Sequence, residues 1–302
     1  MENLVKEIQQ LKEEKKAVIL AHYYAEDDVQ AIADYVGDSY YLAKVAKTTD
    51  AEVIVFCGVS FMGESAKILN PDKTVLMPDL EADCPMAHMA AIDKIQELKG
   101  QYEDLAVVCY INSTAALKCY SDVCVTSSNA IKIVKNLPNE HIFFIPDENL
   151  GRYVAEQVPE KHIILNDGYC PIHKEITAED VKVEKELHPD AKVLAHPECK
   201  WELLELADYI GSTSDIIGFA KKDDAKEYII ATEAGVLHQL KENNPEKQFY
   251  FPGGKPCCSD MKKNTLEKIC HVLKNGENVV EVSEEMREKS LIPLQRMLEL
   301  AK

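Results

Sequence analysis

Three cysteines stand at matching places in this sequence. Cys84, Cys170 and Cys258 are separated by 86 and 88 residues, and two of them open Cys-Pro dipeptides. Thiolates are soft donors. Three of them with a fourth position open suit either a 4Fe–4S cluster with one uncapped iron or a zinc ion carrying a water. A lone cysteine is ordinarily a small buried hydrophobe. Equivalent placement three times over argues against that for this set, although Cys257, adjacent to Cys258, leaves the third ligand open on spacing alone. Cys57, Cys109, Cys119, Cys124, Cys199 and Cys270 have no matching partners and read as core residues, and no C-x-x-C pair occurs.

A second set lies at the ends of three apolar runs. VILAHYY (18–24), VVCYIN (107–112) and VLAHPE (193–198) place His22 and Tyr24, Tyr110 and Asn112, and His196 and Glu198 at equivalent positions. An i, i+2 spacing on an extended segment sends both side chains to one face. Two imidazoles, two phenols, a carboxamide and a carboxylate in one place can exchange protons and orient oxygens. Hydroxyls make the third set, in Gly37-Asp38-Ser39, Thr126-Ser127-Ser128 and Gly211-Ser212-Thr213. Such residues cap helices by default, and the free N–H groups beside a cap also favour phosphate or carboxylate, so the two uses are compatible.

These residues need a scaffold that brings them together, and the rest of the sequence supplies its pattern. AVILA (17–21), VIVFC (53–57) and TVLM (74–77) read as buried parallel strands, with helical spacing in SYYLAKVAKT and FMGESAKIL between them. Four blocks recur in the same order. ADYVGDS, SDVCVTS and ADYIGST form the second, and VIVFCGVSFMGESAKIL, IFFIPDENLGRYVAEQV and YIIATEAGVLHQLKEN the third. A period of about 87 residues predicts three homologous α/β units, each with about four parallel strands and crossover helices, around a pseudo-threefold axis. The expected units are 1–88, 89–176 and 177–273. The tail 274–302 has no partner copy and is expected to pack back on the first unit. Ligands of such units collect at the carboxyl ends of the strands.

Composition excludes several classes of function. The 302 residues are 46% hydrophobic and 28% charged, which is a globular balance. The net charge of −18 should repel nucleic acid and anionic membranes, so neither is an expected partner. No apolar run approaches the ~20 residues of a membrane helix. The opening MENLVKEIQQLKEEKK reads as an amphipathic helix rather than a signal peptide, and the cytoplasm is the expected compartment. Gly58 to Ser65 has phosphate-loop spacing, but Glu64 stands where a lysine is required, so nucleotide binding is not supported.

With these residues in view, the sequence resembles the quinolinate synthase family. The matching stretches are LAHYY, IADYVGDSYYLA, FCGVSFMGESAKILNPDK, DCPMA, YINST, VTSSNA, PDENLG, GYCPIH, HPEC, ADYIGSTS, TEAGVLH and MKKNTLE. The resemblance implies three domains in pseudo-threefold arrangement and a 4Fe–4S cluster held by Cys84, Cys170 and Cys258, with one open iron acting as a Lewis acid. The implied reaction condenses iminoaspartate with dihydroxyacetone phosphate, giving quinolinate, phosphate and water in NAD biosynthesis. A hand-over of the imine from an aspartate-oxidising enzyme belongs to the same picture. By resemblance Tyr24, His196 and Glu198 are acid–base residues, and His22, Tyr110 and Asn112 orient the substrate. Ser39, Ser127, Ser212 and Thr213 hold its phosphate or carboxylates, and His173 matches a further site position. The rival reading is a zinc-dependent hydrolase or lyase using the same three cysteines.

Overall fold

Consecutive Val, Ile and Phe residues favour extended backbone, and a strand buried on both faces needs no polar alternation. AVILAH and VIVFC meet both conditions. In the computed structural model, which describes residues 2–302, both are strands. The first unit contains β1 (Ala17–His22), β2 (Tyr35–Gly37), β3 (Val53–Cys57) and β4 (Thr74–Leu76). The second contains β5 (Ala106–Tyr110), β6 (Val123–Val125), β7 (His141–Ile145) and β8 (His162–Leu165). The third contains β9 (Lys192–Ala195), β10 (Tyr209–Ile210), β11 (Glu227–Ala231) and β12 (Gln248–Tyr250).

The three sheets are separate, four-stranded and parallel, with orders β2-β1-β3-β4, β6-β5-β7-β8 and β10-β9-β11-β12. The expected α/β architecture of three homologous units is therefore present. In each sheet the first strand of the unit lies inside, between the second and the third. Ala17 sits opposite Val53, Ala106 opposite Ile142 and Lys192 opposite Tyr228. Parallel neighbours require crossovers, and helices such as Ser39–Thr48 and Ser60–Leu69 provide them. The opening helix runs Glu2–Glu14, Met1 lying outside the described residues. Among the described residues no helix is long and apolar enough to cross a membrane.

The last forty residues differ from expectation at two points. The helix Leu266–Asn275 straddles the expected boundary at 273, and it belongs with the first unit. Its Ile269, Val272 and Leu273 share one core with Ile8, Ile19 and Val29, and the helix packs along Glu2–Glu14. Gly276, at φ 68°, ends it in the left-handed conformation that a residue with a side chain resists. We propose units bounded near 88 and 176, with the third ending before Leu266. The tail then extends the first sheet, as the Met77 N–H donates to the Asn278 carbonyl at 3.1 Å and the Val280 N–H to the Val75 carbonyl at 2.8 Å. The final helix, Glu284–Leu300, bridges the first two units rather than packing on the first alone. It lies mainly on β6 and the short helices Ala115–Lys118 and Ala130–Asn136 of the second unit, and also touches Ser60–Leu69. Those short helices leave apolar surface over β6, and Leu294 and Met297 bury it.

Candidate functional site

The carboxyl ends of the three sheets face one cavity of about 210 Å³. The first unit lines it with His22, Tyr24, Ser39 and Cys84, and the second with Tyr110, Asn112, Ser127, Cys170 and His173. His196, Glu198, Thr213 and Cys258 come from the third. Of the site residues that the resemblance implies, Ser212 alone is not in the lining.

The strand-end pairs converge for a reason other than the expected one. After β1 and β9 the chain turns rather than staying extended, with the Ala25 N–H bonded to the His22 carbonyl and the Cys199 N–H to that of His196. Each turn folds the second residue's amide onto the ring of the first. The Tyr24 N–H donates to His22 Nδ1 at 3.1 Å, and the Glu198 N–H to His196 Nδ1 at 3.3 Å. Both Nδ1 atoms are thus acceptors, and a neutral ring carries its proton on Nε2. His196 Nε2 lies 3.3 Å from Ser127 Oγ and can donate to it. Burial, which disfavours the charged ring, outweighs the attraction of Glu198 and lowers both imidazoles to about 3.

Glu198 is the electrostatic centre of the cavity, only 3% exposed. Tyr110 Oη donates to its Oε1 at 2.6 Å, and His173 Nδ1 lies 2.8 Å from its Oε2. Burial alone would raise this carboxyl. The facing His173 and His196 rings and the two hydrogen bonds outweigh it and hold the group below the usual range. Burial pushes the Tyr24 and Tyr110 phenols well above their ordinary value, and the Glu198 charge pushes them further. Tyr24 Oη lies 2.7 Å from Thr213 Oγ1 and 2.8 Å from Thr232 Oγ1, a residue that no sequence motif singled out.

The hydroxyl set divides into caps and cavity residues. Asp38 caps Ser39–Thr48 by accepting from the Tyr41 N–H, which leaves Ser39 on the cavity wall. Ser212 caps Thr213–Lys222 in a reciprocal box with Asp215, so its hydroxyl is already spent, and Thr213 faces the cavity instead. Ser212 is therefore placed as the cap of that helix. In the second unit Asn129 closes the turn onto the Thr126 N–H, and Ser127 reaches the cavity. Asn112 Oδ1 is buried without a hydrogen-bond partner, as expected of a group reserved for a ligand.

Each cysteine loop is pinned by a carboxylate. The N–H of Cys84 donates to Asp83 Oδ1 at 2.8 Å, that of Cys170 to Asp147 Oδ2 at 3.1 Å and that of Cys258 to Glu233 Oε1 at 3.0 Å. Asp147 and Glu233 also accept from the Leu150 and Gly235 N–H groups, so one side chain fastens both a helix start and a cysteine loop. Both stand two residues beyond the third strand of their unit, a match visible in the repeats. Burial raises all three thiols. Glu198 and Cys258 add to the effect at Cys84, as Glu198 and Cys84 do at Cys170, so the sulfurs share one electrostatic neighbourhood. Cys257 is exposed and outside the lining. Donor atoms of Cys170, His173 and Glu198 also lie within 4.8 Å of one another, a group able to hold a metal ion. The decoy Glu64 faces away, accepting from the Ala115 N–H at 2.8 Å.

Comparison with known proteins agrees with this arrangement. Residues 6–299 match the family model described as quinolinate synthetase A protein. Quinolinate synthase of Clostridioides difficile (strain 630) is 54% identical over 299 residues, covering 99% of this chain and 98% of that protein. The quinolinate synthase of Fusobacterium nucleatum subsp. nucleatum is 56% identical over 294 residues, 97% of this chain and 98% of that protein. The Caldicellulosiruptor saccharolyticus quinolinate synthase is 51% identical over 301 residues, 100% of this chain and 99% of that protein. Likeness at this level along the full length, joined to the threefold site, means that this chain is an enzyme belonging to the quinolinate synthetase A protein family.

Proposed function

We propose that the chain is a quinolinate synthase that condenses iminoaspartate with dihydroxyacetone phosphate, releasing phosphate and water, and that it works in the cytoplasm, where thiols stay reduced. One observation carries the reading. Three cysteines, one per unit, line the same cavity as the hydrogen-bonded group of Tyr24, Tyr110, His173 and Glu198. The donor set fits the implied cluster, since three sulfurs share one space and the fourth thiol nearby, Cys257, stays outside. Cys84, Cys170 and Cys258 would hold it. When bound, a 4Fe–4S cluster with one open iron supplies a Lewis acid to a substrate oxygen or nitrogen.

The chain's own residues supply binding and proton transfer. Both substrates are anions, yet no lysine or arginine is among the described lining residues. Their charge is met by the N-terminal turns at Ser39 and Thr213, with the Ser39, Ser127 and Thr213 hydroxyls donating to phosphate or carboxylate oxygens. Asn112 orients a polar group through its unpartnered amide oxygen. Glu198, kept ionised, accepts a proton at the condensing centre, while the Tyr24 phenol stays protonated at neutral pH and donates to a departing oxygen. His22 and His196, neutral and locked by their turns, position the substrate without adding charge, and His196 is placed to donate from Nε2.

Protein purified without oxygen should be brown and contain about four iron and four sulfide per chain. It should also form quinolinate when given both substrates. Colourless protein with stoichiometric zinc would favour the rival hydrolase or lyase reading, which uses the same Cys84, Cys170 and Cys258. Iron-loaded protein that makes no quinolinate would overturn the proposed reaction.

A further inference from the structure

A basic residue stands four positions past each of the three cysteines: His88, Lys174 and Lys262. Two of them stay within their own unit. His88 Nε2 lies 2.7 Å from Asp83 Oδ2, and the Lys174 ammonium lies 3.2 Å from the centre of the Tyr169 ring. Lys262 instead reaches into the first unit, where its Nζ donates to the Tyr24 carbonyl at 2.9 Å. Nothing in the proposed chemistry uses this cation, which lies outside the cavity lining with 18% of its side chain exposed.

Both ends of this residue are tied to the site. At its base the Lys262 N–H donates to the Cys258 carbonyl at 3.3 Å. At its tip Nζ lies 3.5 Å from Glu233 Oε1, the same oxygen that accepts from the Cys258 N–H. Glu233 is 1% exposed, and a carboxylate so deeply buried needs a cation beside it. The peptide group that receives the lysine joins Tyr24 to Ala25, and its N–H is already bonded to the His22 carbonyl. Lys262 therefore fixes the second end of a peptide plane in the turn that carries both His22 and Tyr24. Gly235 makes room for the crossing, since a Cβ there would lie 2.8 Å from Tyr24 Cα and 2.9 Å from Lys262 Nζ. The neighbouring carbonyls of Tyr23 and Ala25 are held separately, by Gln30 Nε2 at 2.9 and 3.0 Å.

We propose that Lys262 is a positioning residue, which ties the Tyr24 turn of the first unit to the Cys258 loop, so that metal loading and the placement of Tyr24 are one event. Ligation of Cys258 steadies the loop, the loop holds Lys262, and Lys262 holds the turn. An empty loop that opens takes the lysine with it and frees the Tyr24 carbonyl. Linkage makes the effect mutual, so a ligand bonded to Tyr24 also favours retention of the metal. The consequence for turnover rests on the proposed function, in which Tyr24 donates a proton. The coupling needs only a metal group held at Cys258.

The test is amide hydrogen exchange, read by mass spectrometry on the parent and Lys262→Met, each with and without its iron. Methionine keeps the straight stem and loses the charge and the donors. In the parent, loading should slow exchange about tenfold both in peptides covering 256–263 and in those covering 22–30. In Lys262→Met with the parent's iron content, 256–263 should still respond to loading and 22–30 should not. A turn that responds equally in both proteins would overturn the proposal. So would loss of most of the iron in Lys262→Met, since the lysine would then serve the loop alone. If methionine prevents folding, Lys262→Gln, too short to reach the Tyr24 carbonyl, replaces it with the same expectation. In steady state Lys262→Met should lower kcat about tenfold with KM within about threefold. A loaded parent that makes no quinolinate while its turn responds would sink the proposed reaction alone, whereas an unresponsive turn in loaded, active parent would sink the coupling alone.

Discussion

The first and third units solve the same problem locally, and the second does not. After β1 and β9 a turn drops an amide N–H onto the ring of the strand-end histidine, so His22 and His196 are fixed by a residue two positions away. At the matching place the second unit carries Tyr110, whose hydroxyl is held by Glu198, 88 residues on. It gains an imidazole from the short helix Pro171–Glu175, His173, three residues past Cys170, which bonds only to side chains. One scaffold thus yields two kinds of order. The locked rings are properties of a short peptide, and the phenol and His173 are properties of the assembled trimer of units.

The largest effects should come from the assembled side. Glu198→Gln leaves the shape unchanged but removes the charge that receives the Tyr110 and His173 protons, and kcat should fall by about 10³ or more. Tyr24→Phe should behave alike. Both variants should keep the parent's iron content, and wild-type rates in both would refute the proton-transfer roles of these residues. Next in size is metal retention. Cys84→Ser, Cys170→Ser and Cys258→Ser should each lose most of the bound iron, whereas Cys257→Ser, altering an exposed thiol, should keep it. Iron loss in Cys257→Ser equal to that in Cys258→Ser would reverse the choice between the two neighbours.

The locked rings carry a stability signature with a definite sign. Unfolded histidine titrates near 6.5 and these rings near 3, so between those values the unfolded chain binds more protons. Their contribution is complete above about pH 6.5 and falls as pH drops, by about 1.4 kcal/mol per unit for each ring. Glu198, lowered as well, loses stabilisation in the same direction at lower pH. Urea melts at about pH 7 and about pH 5.5 check this. His22→Gln should flatten the dependence, and a slope unchanged by that variant would locate it elsewhere.

What was legible in the sequence divides along the same line. The cysteine triplet and the strand-end pairs could be read because the chain repeats, and a period is visible without contacts. Asp147 and Glu233 were equally readable, since they occupy matching places, yet a carboxylate after a strand looks like an ordinary cap. Thr232 was not readable, because a threonine ending YIIAT is unremarkable until two other units approach it. The course of the final helix was hidden as well. It has no repeat partner, and the surface it covers exists only once the first and second units are side by side.

The smallest expected effect is also the sharpest separation of local from assembled order, at two adjacent hydroxyls. Ser212 spends its oxygen on the Asp215 box, and Thr213 directs its own towards Tyr24 and the cavity. Ser212→Ala removes a cap and should cost about 1 kcal/mol, a fall of about 2 °C in Tm, with kcat and KM almost unchanged. Thr213→Ala keeps the cap but takes a partner from the Tyr24 phenol and a donor from the anion site, so it should raise KM and lower kcat with little change in Tm. Tm and steady-state kinetics on the two variants decide the matter. If Ser212→Ala impaired the reaction as much as Thr213→Ala, the capping box would open during turnover, and the assignment of Ser212 to local structure would have to be withdrawn.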